Sequence, residues 1–426
     1  MEYRSPALCI FDRPGSQTDV LKSSTVDYYP LSSLGGGGPI EFEIPGSAED
    51  YLDTNDFSLY VRFKVLKGDG KEITAAEKVG LNNLAIASLF QDVSLTIGDE
   101  QVEGGQMNYP YTSYLKTVTQ FQPHAQFSHM QAYGWYKDDS GKFNAEGNEG
   151  FKSRQRMIED SKECELMGPL YLDFFEQSRY LISQTSLRLK LTPSKPEFVL
   201  NAYGPLADFK IEFTKVIIYA TRVTVNPSVI NGHATGLKRH NAIYPLVHND
   251  LITFTIPKGQ QSYTKDRLFP DRAPKSLMIA MVKNEAFNGN IKMNPFNFQH
   301  FKLNKIALYR EGVSIPGRPF TPDFENGNYI RSYLHTMRTL GYYHTDDTNG
   351  LTPKMFGAGY TIYAYDLTPE KDISGNYNHN ITSKNLRLEL FFKDPLPETI
   401  NVLLFASYNS AIEVTQLRDI IPHYNR

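Results

Sequence analysis

Apolar and polar residues alternate along Ile40-Glu41-Phe42-Glu43-Ile44 and again along Ile252-Thr253-Phe254-Thr255-Ile256, and both runs stop at a proline, Pro45 and Pro257. A period of two puts one apolar row on a core face, and proline cannot donate to a ladder, so each run reads as a half-buried strand with a marked end. The offset is 252 − 40 = 212 residues. Further pairs follow in the same order. Ser58-Leu59-Tyr60-Val61-Arg62-Phe63-Lys64-Val65 is answered by Ser276-Leu277-Met278-Ile279-Ala280-Met281-Val282. Val93-Ser94-Leu95-Thr96-Ile97-Gly98 is answered by Ile306-Ala307-Leu308-Tyr309-Arg310-Glu311-Gly312, each ending in a hairpin-like turn. Ser113-Tyr114-Leu115-Lys116-Thr117 and Ser332-Tyr333-Leu334-His335-Thr336 lack strict alternation and read as short helices between strands. Leu187-Arg188-Leu189-Lys190-Leu191 pairs with Leu386-Arg387-Leu388-Glu389-Leu390, and Val216-Ile217-Ile218-Tyr219-Ala220 with Val402-Leu403-Leu404-Phe405-Ala406. The chain is therefore all-β, one module present twice, with about eight strand candidates per copy, the jelly-roll number.

The punctuation between these runs sets the boundaries. Residues 1–37 read as an N-terminal arm and glycine-rich joint, because Gly35-Gly36-Gly37-Gly38 costs too much backbone entropy to lie inside an element. The order of such an arm depends on a partner. Residues 38–226 make the first jelly roll and 250–426 the second. Between them, 227–249 is a polar linker with a helical stretch from Val229-Ile230 to Leu237. Two long loops, Gln131 to Ser161 and Gly341 to Gly359, fall at similar points in the two modules. Long insertions in a compact fold are usually contact surfaces, so both are expected to project outward or clasp a neighbouring subunit.

Composition narrows the classes. The 426 residues suit two cores of about 200 each. Tyr (27) and Phe (26) are abundant, which favours sheet faces over helix bundles. A net charge of −3 argues against a dedicated nucleic-acid binder. The basic runs Lys152-Ser153-Arg154-Gln155-Arg156 and Lys238-Arg239-His240 accordingly read as solvated loop faces. The two cysteines, Cys9 and Cys164, exclude a disulfide framework and a Cys-based zinc site. Two free thiols in a reducing compartment are favoured over a single bridge. Met1-Glu2-Tyr3-Arg4-Ser5-Pro6 lacks a signal pattern and no apolar run approaches 18 residues, so neither secretion nor membrane insertion is expected. The sequon Asn380-Ile381-Thr382 is then accidental.

The chemistry inventory is bland. His124 and His129 lie five apart and do not share a helical face. Asp346-Asp347 with Asn349 offers oxygen ligands without the spacing of a calcium loop. Asp138-Asp139-Ser140-Gly141 and Gly68-Asp69-Gly70-Lys71 read as turns. No nucleophile elbow is present. The aromatic cluster Tyr133-Gly134-Trp135-Tyr136 could stack on a sugar or pack under its loop. No catalytic, cofactor-binding or metal residue is assigned. The competing readings are a tandem β-sandwich carbohydrate-binding protein, with its pocket at Tyr133 to Tyr136, and a glycoconjugate hydrolase, which needs a cleft with two apposed carboxylates.

From Gly38 onward the landmarks resemble the double jelly-roll major capsid proteins of Polinton/Maverick elements and adintoviruses. The resemblance rests on Gly38-Pro39-Ile40-Glu41-Phe42, Asp50-Tyr51-Leu52-Asp53, Tyr109-Pro110-Tyr111, Gly134-Trp135-Tyr136-Lys137-Asp138 and Gly168-Pro169-Leu170-Tyr171-Leu172-Asp173-Phe174-Phe175 in module one. In module two it rests on Ala286-Phe287-Asn288-Gly289, Asn294-Pro295-Phe296-Asn297-Phe298, Tyr365-Asp366-Leu367-Thr368-Pro369 and Pro395-Leu396-Pro397-Glu398-Thr399-Ile400-Asn401-Val402. It implies a structural protein without enzymatic activity, in the manner of adenovirus hexons. Three chains would form a pseudo-hexameric homotrimeric capsomer that tiles an icosahedral shell around double-stranded DNA. Partners would be neighbouring capsomers and penton or other minor capsid proteins, without sequence-specific nucleic-acid binding. The location would be the virion capsid, after synthesis in the host cytoplasm.

Overall fold

The computed structural model describes residues 16–205, 208–270, 272–371, 373 and 385–423. Module one holds eight sandwich strands: β1 (Val20–Tyr28), β2 (Ile40–Ile44), β3 (Asp50–Lys67), β4 (Phe90–Ile97), β5 (Glu100–Glu103), β6 (Cys164–Gly168), β7 (Leu187–Pro193) and β8 (Phe209–Val225). They form two antiparallel sheets, ordered β1-β8-β3-β6 and β2-β7-β4-β5. Module two repeats the plan with β9 (Ala242–Ile256), β10 (Ser262–Lys265), β11 (Ser276–Lys283), β12 (Leu303–Arg310), β13 (Val313–Phe320), β14 (Ile362–Asp366), β15 (Leu386–Phe392) and β16 (Ile400–Val414). Its sheets run β9-β16-β11-β14 and β10-β15-β12-β13, with Ile420–Pro422 added beside β16. The same strand order in both halves, each strand number raised by eight, makes this a double jelly roll.

Three expectations are corrected. Residues 1–37 are not an arm throughout: Val20–Tyr28 is an edge strand, paired with β8 from Val20↔Val225 to Tyr28↔Ile218. Residues 1–15, with Cys9, lie outside the described residues, as does the sequon at Asn380. The linker is also shorter than expected. Residues 227–237 form a helix, but 242–249 already belong to β9, whose fifteen residues all pair with β16. Third, the near-copies at Ile40 and Ile252 are not equivalent strands. Ile40–Ile44 is the second strand of its jelly roll, whereas Ile252–Ile256 ends the first strand of the other. The remaining pairs do coincide, in the third, fourth, seventh and eighth strands of each module and in helices α1 (Tyr109–Gln120) and α4 (Ile330–Thr339). Between these, α2 spans Glu149–Arg156 and α3 Pro227–Leu237.

Alternation explains the packing. In β11, Leu277, Ile279 and Met281 face the core inside module two, while Met278, Ala280 and Val282 face a second core continuous with module one. The same split divides Val402, Leu404 and Ala406 from Leu403 and Phe405 on β16, and Tyr363 and Tyr365 from Ile362 and Ala364 on β14. A sheet covered on both faces needs apolar residues at every position, which is why these strands read as continuous runs. Module one stands against the outer face of that sheet.

Candidate functional site

The most elaborate chemistry in the molecule lies along this seam. Helix α1 starts after β5 with Pro110 in its first turn, where a missing N–H is harmless. Its cap residue Asn108 and its residues Tyr111, Tyr114 and Thr119 meet module two. Asn108 Nδ2 donates to Leu251 O at 3.2 Å, and Thr119 O accepts from Tyr342 Oη at 3.0 Å. Tyr111 stacks on Phe287 (5.2 Å, 16°), and Tyr114, one turn along, stacks on Phe296 at 4.1 Å with rings within 3° of parallel.

Two buried charge groups sit beside these rings. Lys116 Nζ, 1 % exposed, donates to Asp173 Oδ1 and Glu176 Oε1, both at 2.7 Å. Asp173 also accepts from module two: Asn249 N at 2.6 Å on Oδ2 and Asn249 Nδ2 at 2.7 Å on Oδ1. Burial alone would lift the Asp173 carboxyl, but Lys116 and His248 outweigh it and hold the acid well below its ordinary range. Burial alone would lower the Lys116 amine, and its two carboxylates instead raise it. In the second group Arg154, fully buried, donates from Nε to Leu81 O at 2.7 Å and from Nη2 to Asp138 Oδ1 at 2.6 Å, and also reaches Tyr136 O. Asn148 and, from module two, Asn294 complete the Asp138 carboxylate at 2.7 and 3.2 Å. Every charge in this pair is met by a partner, the condition for burying ions without a large penalty.

The long loops meet here too and hold each other within one chain. Lys137 Nζ donates to Gly350 O at 3.1 Å, Gly141 N to Ala358 O at 3.0 Å, and Tyr360 Oη to Asp138 O at 2.8 Å. Gly359 lies at the crossing with φ +102°, and a Cβ there would stand 2.2 Å from the Phe143 ring, so only glycine fits. Trp135 is fully buried and tilted against Tyr114, so the Tyr133 to Tyr136 cluster packs under its loop rather than presenting a sugar platform. Arg154 corrects the reading of Lys152 to Arg156 as a solvated face, and Asp138 is more than a turn residue. No short-range pattern announces either, because their sixteen-residue separation closes only in the fold. Lys238, Arg239 and His240 are exposed.

A cleft of about 560 Å³ opens beside α1 and contains Asp92, Glu103, Asp173, His248 and Asp250. Burial and the neighbouring Asp173 charge push the Glu103 carboxyl well above its ordinary range, so two carboxyls with opposed shifts do share a cleft. Their oxygens are occupied. Glu103 Oε2 and Oε1 accept from Asp173 N (2.8 Å) and Phe174 N (2.6 Å), and Asp173 is held as above. Asp92 accepts from Ser94 and Gly105. These acids fasten loops. Among the described residues no group of three or more His, Cys, Asp or Glu is placed to hold a metal ion, and no helix is long and apolar enough to cross a membrane. His124, His129, Asp346 and Asp347 belong to no such group. Cys164 is free and buried, its thiol pushed up to about 12 by burial.

The double jelly roll matches the Sputnik virophage structure with a TM-score of 0.67 at 13 % identity, covering 100 % of this chain and 93 % of that one. The mavirus major capsid protein matches at 0.60 and 12 % (99 % and 95 % covered), and the Faustovirus major capsid protein at 0.59 and 7 % (94 % and 92 %). In sequence, an uncharacterised protein of Caenorhabditis elegans is 24 % identical over 420 residues, 96 % of this chain and 99 % of that protein. No protein-family model matches.

Proposed function

We propose that this chain is a major capsid protein of the Polinton/Maverick and adintovirus kind, a structural subunit without enzymatic activity. Three copies form a pseudo-hexameric capsomer that tiles an icosahedral shell around double-stranded DNA. The observation that carries this reading is end-to-end correspondence: the chain aligns over at least 94 % of its length with the Sputnik virophage structure and with the mavirus and Faustovirus major capsid proteins. A doubled module gives a threefold object six similar sides, so like surfaces meet at every lateral contact. Neighbouring capsomers and minor capsid proteins are the proposed partners, the virion capsid the location, and the host cytoplasm the place of synthesis. The test is size-exclusion chromatography with light scattering. A mass about three times 48.4 kDa is expected. A stable monomer that binds glycans would replace the reading with the lectin alternative.

A further inference from the structure

A cavity of about 600 Å³ opens at the loop crossing, with the buried Phe143 and Gly359 in its wall. Its lining comes from both modules: Asn144 from the first, and Asn297, Gln299, His300 and Phe301 from the second. It lies at one end of the sheets. Phe301 and Lys302 lead into β12 at Leu303, which pairs with Phe392, and the wall from Asp394 to Glu398 leads into β16 at Ile400, which pairs with Ile256. Helix α3 and the strand Ile420–Pro422 lie at the other end, beside Ala242 and Val414.

The cavity offers hydrogen bonding without spare charge. Lys302 Nζ is held by Asp394 Oδ2 at 2.9 Å and Glu325 Oε1 at 3.2 Å, and Glu398 Oε1 by Lys283 Nζ at 2.8 Å. The side chains of Asn297 and Gln299, by contrast, have no hydrogen-bond partner among the described residues. Asn144 Oδ1 accepts from Asn294 N at 2.7 Å, which leaves its Nδ2 to donate elsewhere. His300 Nδ1 accepts from Lys302 N at 3.0 Å, so the proton of the neutral ring sits on Nε2. Its ring is fixed by stacking on Phe324 at 4.0 Å with the planes 6° apart, and burial keeps it neutral by lowering its pKa to about 4. Phe301 and Lys302 both hold positive φ, 45° and 52°, a costly conformation for residues with a Cβ and one that gathers at binding sites. Phe301, Pro395 and Pro397 add apolar surface. An apolar wall with a few convergent polar groups is the usual build of a small-molecule site.

We infer that this cavity binds a neutral sugar, whose hydroxyls are held by Asn144, Asn297, Gln299 and His300 and whose C–H face packs on Phe301 and the two prolines. A carboxamide donates and accepts, as a hydroxyl does, so a run of adjacent hydroxyls matches this wall better than a group that only donates or only accepts. A charged ligand finds no free counter-charge, because the ions in the wall already hold one another. The site does not depend on the capsomer reading. It is compatible with it, since an end-on cavity stays open when copies meet side by side, and three copies present three sites with the avidity that follows.

The test uses the full chain. The probes are methyl glycosides of neutral hexoses and N-acetylhexosamines, read by saturation-transfer NMR, and a glycan array. At least one neutral sugar should bind. Asn297→Leu and Gln299→Leu, at partly exposed positions, should each weaken it about tenfold, the worth of one hydrogen bond, with the melting temperature unchanged. Arg239→Ala, beyond α3 at the other end of the sheets, should leave binding as it is. Signal from the glycosides marks a free sugar as the occupant, and signal confined to the array marks the end of a glycan chain; both support the site. No binding in either format, binding that both leucine variants leave intact, or binding confined to sialylated or sulfated glycans overturns it. Light scattering on the same samples keeps the two readings apart. A trimer that binds no sugar sinks this site alone, and a monomer that binds sugar through Asn297 and Gln299 sinks the capsomer alone.

Discussion

The two modules share a strand order and differ in what holds them. Module one turns part of the outer face of its β1-β8-β3-β6 sheet to solvent, so β3 alternates, with Leu59, Val61 and Phe63 inside and Tyr60, Arg62 and Lys64 outside. The central strands of module two's counterpart are buried on both faces, with apolar runs at Leu277–Val282 of β11 and Val402–Ala406 of β16. The same contrast runs through the polar groups. Module one brings the buried ions Lys116, Asp173, Arg154 and Asp138 to the seam, while module two answers with Asn249, Asn294, carbonyls and aromatic rings. One copy is thus the charged, self-fastened half and the other the apolar wall it leans on.

The largest effect should follow from breaking the ionic half. Arg154→Ala leaves Asp138 buried without its counter-charge and should cost about 3–5 kcal/mol in a denaturant titration. Arg239→Ala, on an exposed run, should stay within about 0.5 kcal/mol. Similar losses from the two would mean that the seam charges are dispensable. Next in size is the aromatic half. Phe296→Leu keeps the site apolar but loses the stack on Tyr114, for a cost of about 1–2 kcal/mol. Added to Tyr114→Leu the loss should be less than additive, because one pair is being removed twice.

A third effect separates the modules by pH. His300 and His335, both in module two, are lowered to about 4, chiefly by burial and further by nearby cations. Both are neutral in the fold and bind protons more readily when unfolded. Stability is therefore fully present above about pH 6.5 and falls as pH drops toward 4, by up to about 1.4 kcal/mol per pH unit for each residue. His335→Phe, against the Phe320 and Tyr365 rings, should flatten that slope by half. An unchanged slope in acid denaturation would place the sensitivity elsewhere.

The same contrast explains what was legible in sequence. A strand with one wet face and one dry face, such as β7, shows period two, and β15 shares its alternation of leucine and charged residues, so the two were matched across the repeat. β1 was missed because it has little to alternate about: as an edge strand with most positions in solvent, Val-Leu-Lys-Ser-Ser-Thr-Val-Asp-Tyr carries no core row. With β1 invisible, Ile40–Ile44 took its place in the alignment, and a resemblance of pattern passed for a correspondence of position. The seam was illegible for another reason. Periodicity treats Lys116 and Arg154 as surface, and only the partners that arrive from distant segments make their burial possible.

The smallest effect sharpens the comparison at the connection between first and second strands. In module two it is Pro257 to Gln261, fastened by Gly259 N donating to Leu396 O at 2.8 Å. In module one it runs from Tyr29 to Pro39 and holds the four glycines, which were expected to form a flexible joint. It is a structured turn instead: Leu34–Gly36 makes one 3-10 turn, and Gly37 leaves it in the left-handed region at φ +66°. Gly38 has ordinary φ and open space where a Cβ would stand. Gly38→Ala should therefore stabilise by about 0.4–1 kcal/mol, through lost freedom in the unfolded chain. Gly37→Ala should destabilise by about 1 kcal/mol, since alanine resists that conformation. Thermal melts of the two variants should move in opposite directions. If both move up, the turn is not held in the folded state, and module one's first strand is tethered more loosely than its counterpart in module two.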